Sequence, residues 1–592
     1  MQLPRSRPAL ATLCAVFIAA LLPLAASGQS GTSKAAAAKP AAPSPKVHFI
    51  LTPRWQGEAW HFLVEARFPA TTGTETAIDL PDEFGPARNM HANIRNLESL
   101  DPGVTIKEGA KPAQRVLAHK AKRPPGQPLR LRYEVHNKQR DKLSHESFYD
   151  PILEPGWFHL VGHGVFVQPA HFTEKDSVDL TIEWRNIPDD WSLAGSHGIK
   201  AGATTVWNQR NVALQLARHA IYVGGDFRLH KTEIRGRPLY IAVRGERKFK
   251  DEDFVAATQK VVAAHREFWG DFDFPHFLIT HVANSYDSGS YGGTALHHAF
   301  AMHTAADFTV ASAAFDFLIG HEHLHTWVPS RIGIRPKGAD EGLSYWFSEG
   351  FTNYLTHRLL VKSGLWSRER YAEAINKLIQ RYLASPARNF DNRTTADNFW
   401  KRRDAGDMPY QRGELVALRW NAALAAQGES LDSLLKKLQT RDANGEMATD
   451  RLIRALKPHL AGVEQDVARF VDRGETVELG GDLLGPCYEK RNVPVPQYEA
   501  GFNVNETIKN RMITGIVEGS AAWRAGLRNG MKTRSLSIRQ DDVDNDVKIS
   551  VEDADGQAKK MDYRPVKEVA GLVPQYFVKA GADTDKACMT WF

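Results

Sequence analysis

The run Phe317-Leu318-Ile319-Gly320-His321-Glu322-His323-Leu324-His325-Thr326-Trp327 constrains this chain more than any other feature. On an α-helix, His321 and His325 are four residues apart, so their rings leave one face a single turn from each other. Two imidazoles so placed can bind one zinc ion at about 2.0–2.1 Å. Glu322 lies beside them and can reach a metal-activated water without being a ligand. Phe315 and Leu318, with Phe308 and Val310 upstream, suit a helix buried in a core. The chain's own His and Glu frequencies give about 0.05 chance matches to His-Glu-x-x-His, so a second feature is needed to carry the reading.

Leu343-Ser344-Tyr345-Trp346-Phe347-Ser348-Glu349-Gly350-Phe351-Thr352-Asn353-Tyr354 supplies it. Glu349 is an acid inside an aromatic stretch, and a buried carboxylate without a partner is costly. A metal satisfies it directly, completing a two-His, one-Glu site with a fourth position open to water. Pairing with an arginine such as Arg331 is the alternative.

With these two runs, HEHLHTW and WFSEGFTNY, the sequence resembles the glycyl aminopeptidase family of gluzincin zinc peptidases, relatives of thermolysin and aminopeptidase N. The resemblance implies one catalytic Zn²⁺ held by His321, His325 and Glu349, with Glu322 as general base. Met408-Pro409-Tyr410-Gln411-Arg412-Gly413 resembles the family's Tyr-x-Lys-Gly signature. Tyr410 thereby inherits the role of stabilising the tetrahedral intermediate, with Arg412 replacing the usual Lys. On residue chemistry alone Tyr410 is a tyrosine before a helix. Glu518 to Gly530 resembles the turn and helix of the PDZ-like domain that ends family members, and Ala500-Gly501-Phe502 could form a loop that captures a peptide C-terminus or strand. Met531-Lys532 departs from that pattern, which has an acid and then a β-branched residue.

The family anchors the substrate's α-ammonium with an acid in a Gly-Gly-Leu-Glu-His stretch. Here Tyr291-Gly292-Gly293-Thr294-Ala295-Leu296-His297-His298 puts Ala295 or His297 at that place, depending on alignment. Gly292 and Gly293 would let an edge strand approach the substrate backbone, and His297 and His298 are candidate substrate-binding residues. Asp287, Asp340 and Glu341 are candidates to replace the missing acid. The expected function is zinc-dependent hydrolysis of peptide or protein substrates by an aminopeptidase-like enzyme. An endopeptidase lacking the amine anchor, or a non-catalytic exported peptide-binding protein using the PDZ-like domain, are the alternatives.

The 592 residues are 42% hydrophobic and 24% charged, a folded composition that excludes disorder and collagen-like repeats. The net charge of +6 includes Arg5 and Arg7, leaving too small a surplus to suggest nucleic acid. Those arginines, the apolar run Ala9 to Leu24 and the small residues 25–28 read as a signal peptide over 1–28, so the mature protein is expected to be periplasmic or secreted. An uncleaved membrane anchor is the alternative, and no later stretch has the length of a membrane span. Residues 29–45 follow as a flexible Ala/Pro/Ser/Lys linker. The expected architecture is multidomain: a β-rich N-terminal domain over 46–220, a thermolysin-like α+β catalytic domain with a helical second half over 221–480, and a PDZ-like α+β domain with a tail over 490–592. Signal cleavage leaves Cys487 and Cys588, which can pair in an oxidising compartment or stay as buried thiols.

Overall fold

In Ser177–Trp184 every second residue, Val178, Leu180, Ile182 and Trp184, is buried. This period of two is what a sheet with one packed face demands. Lys46–Gln56 and Pro128–Val135 add Val47, Phe49, Leu51, Leu131 and Tyr133 to the same core. The structure, a computed structural model, describes residues 44–592 apart from 58, 125–126, 139–142, 144, 174–175, 285–290, 307–312, 337, 440–444, 539–542, 553–555 and 568–570. The expected signal peptide, most of the linker, and Asp287, Phe308 and Val310 lie outside the described residues. No helix among the described residues is long and apolar enough to cross a membrane.

Six strands form the largest sheet, in the order Thr205–Ala213, Ser177–Trp184, Lys46–Gln56, Ala59–Pro69, Pro128–Val135, Ile94–Ser99. Only Lys46–Gln56 and Ser177–Trp184 run parallel, with Phe49 opposite Ile182. A second, five-stranded sheet carries the catalytic region: Arg228–Ile234, Arg237–Arg244, Phe277–Asn284, Ala299–Ala305 and, at one edge, Tyr291–Leu296. The edge strand is antiparallel to its neighbour, pairing Gly293 with Met302. Helices Asp251–Trp269 and Ala313–Leu324 share a core with this sheet through Phe254, Val261, Ile279, Phe300, Phe315 and Ile319.

From Tyr345 to Asp472 the chain is helical. The helices Gly350–Lys362, Arg368–Ala384, Arg403–Ala425, Leu431–Lys437 and Ala448–Leu456 enclose the largest core. Ser367 and Ser430 cap two of them, accepting from the Arg370 and Ser433 amides, which fixes where those helices begin. One helix differs from its sequence pattern. The amphipathic stretch starts at Gly413, yet the helix starts at Arg403 and runs through Pro409. Tyr410 therefore sits inside a helix and not before one. Proline costs an interior hydrogen bond, but Ala405, Met408 and Leu415 are fully buried, and that packing holds the first turns helical.

The segment 490–592 divides between two cores. Phe502, Ile513, Leu527, Ile549 and Tyr563 form a small core of their own around the three-stranded sheet Lys532–Ser537, Val547–Glu552, Ala558–Tyr563. Tyr488–Val495 and Gly571–Val578 pair with each other, and Val573, Tyr576, Ala582 and Cys588 belong to the large helical core. Asn376 of helix Arg368–Ala384 seals that junction, donating to the Tyr576 carbonyl at 2.9 Å and accepting from its amide at 2.8 Å.

Candidate metal centre

The helix Ala313–Leu324 delivers His321, and His325 follows in the turn just beyond its last residue. Their Nε2 atoms lie 3.1 Å apart, and Glu349 Oε2 stands 3.3 Å from His321 Nε2 and 3.4 Å from His325 Nε2. Four ligands arranged tetrahedrally at about 2.05 Å from zinc are about 3.3–3.4 Å from each other. The triangle's edges of 3.1, 3.3 and 3.4 Å are close to that length, so the donor set fits zinc in both chemistry and spacing.

The other nitrogen of each ring is occupied. His321 Nδ1 is 2.8 Å from Asn353 Oδ1, and His325 Nδ1 is 2.9 Å from the Val328 carbonyl oxygen. A carbonyl acceptor at Nδ1 keeps the proton there and leaves the Nε2 lone pair for metal. The rings cross at 90°, so the two lone pairs converge. Glu349 directly precedes the helix Gly350–Lys362, and its Oε1 accepts from the Ser348 hydroxyl at 2.9 Å, leaving Oε2 for the site. Burial pushes the Glu349 carboxyl up, but His325 and His321 outweigh it and hold it well below the usual carboxylate range. Arg331, the alternative partner for Glu349, instead pairs with Asp271 at 2.7 Å.

Glu322 is 9% exposed and stands outside the converging group of His321, His325 and Glu349. Burial raises its pKa against the pull of His321 and His325, and the Ala295 amide donates to it. The edge strand passes so close that a Cβ on Gly293 would sit 2.9 Å from Glu322 Oε1. Any side chain there would push the Glu322 carboxylate aside. His323, between the motif's two ligands, points to another face and meets His265 at 3.2 Å between Nδ1 atoms.

Tyr410 reaches the site because two helices cross at glycine. A Cβ on Gly413 would lie 1.9 Å from the Trp346 carbonyl oxygen, and one on Gly350 2.4 Å from Gly413 Cα. The Tyr410 ring centroid is 5.8 Å from that of His321. Burial, with the Glu349 and Glu322 charges, pushes its hydroxyl well above the ordinary tyrosine range, so it remains a donor. Arg412 is spent on structure, donating to the Arg388 and Phe390 carbonyls at 2.8 and 2.7 Å.

Tyr149 joins the site from the N-terminal part of the chain, and no sequence pattern announces it. Its hydroxyl is 3.5 Å from the Gly293 carbonyl oxygen, burial pushes it up to about 12, and the Glu322 and Glu349 charges act in the same direction. Asn353 lies within the aromatic run, but only the folded geometry shows its role. His297 and His298, expected to line the substrate cleft, have other neighbours. His297 packs its ring 5.5 Å from His197, its amide donates to the His219 carbonyl, and His298 senses His276, Arg266 and Arg331. Burial holds both imidazoles below their usual pKa. Gly292 lies on the edge strand opposite His303.

A second grouping, His61, Glu134 and His136, lies on the six-stranded sheet and its margin. The His61 and His136 rings stack at 14°, and Glu134 Oε2 accepts from His136 and Asn96 at 2.7 and 2.9 Å.

Residues 315–416 match the M61 glycyl aminopeptidase family. That stretch contains all three ligands, Glu322 and Tyr410. The protein is a zinc metallopeptidase. The fold is shared with an aminopeptidase N family protein from Idiomarina loihiensis at a TM-score of 0.66 and 14% identity, over 92% of this chain and 99% of that one. An M1 zinc metallopeptidase from Deinococcus radiodurans aligns over 74% of this chain and 94% of that one, at 16% identity and a TM-score of 0.48. No curated protein matches the sequence.

Proposed function

We propose that the protein is an exported, aminopeptidase-like zinc enzyme that cleaves peptide bonds with Glu322 as general base. The observation that carries this reading is the placement of Glu322, buried next to the ligand triangle and pressed against the edge strand at Gly293. Zinc held by His321, His325 and Glu349 supplies Lewis acidity for the scissile carbonyl and lowers the pKa of water. Glu322 takes the water proton and returns it to the leaving amine, a task its burial-raised pKa suits. Tyr410 donates to the carbonyl oxygen that gains charge. Tyr291–Leu296 ends its sheet, so a substrate backbone can add to the free side as a further strand.

Support for removal of N-terminal residues comes from the matched family and from Glu341. Asp340 is taken by Arg393 at 2.7 Å, whereas Glu341 stands 4.0 Å from Arg335 and accepts from the Tyr345 hydroxyl, itself within range of the Glu349 charge. Of the described candidate acids, Glu341 is the one that shares a neighbour, Tyr345, with Glu349, and on that ground it is proposed as the acid offered to a free α-ammonium. Ala295 at the family's acid position favours the second reading, an endopeptidase indifferent to the amine. Export rests on the basic, apolar and small-residue succession of residues 1–28. A PDZ-like module that captures a peptide C-terminus or strand rests on the Glu518 to Gly530 pattern, where Ser520 caps the short helix Ala521–Arg524.

Mass spectrometry of products from matched peptides with free and acetylated N-termini tests the proposal, with Glu322→Gln alongside to subtract contaminating proteases. Stepwise loss of residues from free peptides alone is the expected result. Internal cuts in both forms mean an endopeptidase, and no cleavage at all would leave the peptide-binding reading.

A further inference from the structure

Cys487 and Cys588 are 0% and 1% exposed, and neither is paired in this structure. They lie in the same helical core although 101 residues of chain separate them. Several contacts bring their surroundings together. The Lys579 amide donates to the Cys487 carbonyl at 2.8 Å, and the Cys588 amide donates to Asp585 Oδ1 at 3.3 Å. The Trp591 ring lies against the Cα of Gly485, where a Cβ would come 2.2 Å from it. Pro486 and Tyr488, flanking one cysteine, line the same groove as Ala587 and Thr590 around the other. The Cys588 thiol is within hydrogen-bonding reach of the Cys487 sulfur, and Asp585 acts on that sulfur too.

We infer that Cys487 and Cys588 form a disulfide that clasps the neck of the C-terminal module and fastens the last residues of the chain to the catalytic helices. The chain leaves the helical core along Tyr488–Val495, builds the small separate core between, and returns along Gly571–Val578. The cysteines sit at the base of this excursion, so one bond closes it into a ring. The fastened end reaches the metal site's scaffold. Arg358, on the helix that follows Glu349, donates to the Trp591 carbonyl at 2.8 Å and to both Asp432 oxygens at 3.1 and 3.0 Å.

The reaction needs an oxidant, and a low-molecular-weight disulfide such as oxidised glutathione suffices. One cysteine thiolate attacks it and releases the first glutathione thiol. The second thiolate attacks the resulting mixed disulfide and releases the other. Two cysteine thiols become one protein disulfide, and the oxidant becomes two thiols. Burial, together with the neighbouring Cys588, pushes the Cys487 thiol up to about 12, so bond formation belongs to folding or to partial opening and not to the closed state.

The protein from residue 29 onward, which lacks Cys14, is equilibrated in a glutathione redox buffer containing enough urea to permit opening, then alkylated in denaturant. The expected result is a chain two mass units lighter with no alkylated cysteine, and a tryptic peptide joining Cys487 to Cys588. Its thermal midpoint falls on adding reductant, while the Cys487→Ser, Cys588→Ser double variant does not respond. Two alkylated cysteines, separate glutathione adducts, or a midpoint indifferent to reductant would overturn the clasp.

Discussion

Asn353→Ala tests whether the metal centre depends on the hydrogen bond behind it. Asn353 and His321 are 8% and 7% exposed, and the bond between them is 2.8 Å long. Truncation leaves the His321 Nδ1 proton buried and without its acceptor, a loss of about 1–3 kcal/mol. Since 1.4 kcal/mol is a factor of ten, zinc binding should weaken by about 5–150-fold, spanning the 10–100-fold typical of partners behind a metal ligand. The assay is competition for zinc against a chromogenic chelator. At saturating zinc kcat should stay within a few-fold of the parent, because Asn353 orients a ligand and does not touch the reacting atoms. Asn353→Asp keeps an acceptor and should recover most of the affinity. An unchanged zinc Kd in Asn353→Ala, or no recovery in Asn353→Asp, would refute the argument that this contact sets the tautomer and orientation of His321.

Glu322→Gln should retain stoichiometric zinc by elemental analysis yet lose about 10²–10⁴-fold in kcat, and an active variant would remove Glu322 from the mechanism. Tyr410→Phe should lower kcat by about 10²–10³-fold with little change in KM, since its donor acts on charge that develops during reaction. Gly293→Ala forces a methyl to within 2.9 Å of the Glu322 carboxylate and should depress kcat/KM while leaving zinc content intact; a fully active variant would mean the edge strand does not hold Glu322. The Asp251 carboxyl, although burial pushes it up, is held at about 2 by hydrogen bonds from Arg228 and His230 and by Arg247. A depressed carboxylate stabilises the fold above its unfolded pKa, so about 2 kcal/mol should vanish as pH falls from about 4 to about 2. Thermal midpoints of the parent and Asp251→Asn should converge over that range, and parallel curves would count against the pairing.

The metal ligands were legible because each is specified locally. A four-residue spacing becomes one face of a helix whatever surrounds it, and an acid within an aromatic helix demands a partner wherever it is buried. The apolar stripe and serine cap of Arg368–Ala384 are local features of the same kind. The Arg403–Ala425 helix was not, since its first turns carry Gly406 and Pro409 and are held by packing that local propensity does not encode.

Everything that turns three ligands into a working site depends on approach between distant segments. Tyr149 comes from residues far upstream, Gly293 matters only because Glu322 lies against it, and Gly350 and Gly413 matter only because two helices cross there. Arg331 chose Asp271 over Glu349, and the half-buried His297 and His298 pack on each other with His197 beside them, because competing partners decide such pairings. The sequence by itself pointed to the chemistry of the centre: helix periodicity puts His321 and His325 on one face, and the resemblance to known zinc peptidases implies Glu349 as third ligand and Glu322 as base. Only the tertiary structure decided which groups orient the ligands, that Tyr149 joins Tyr410 beside them and that the two cysteines share one core, because those are fixed by packing between elements that are remote along the chain.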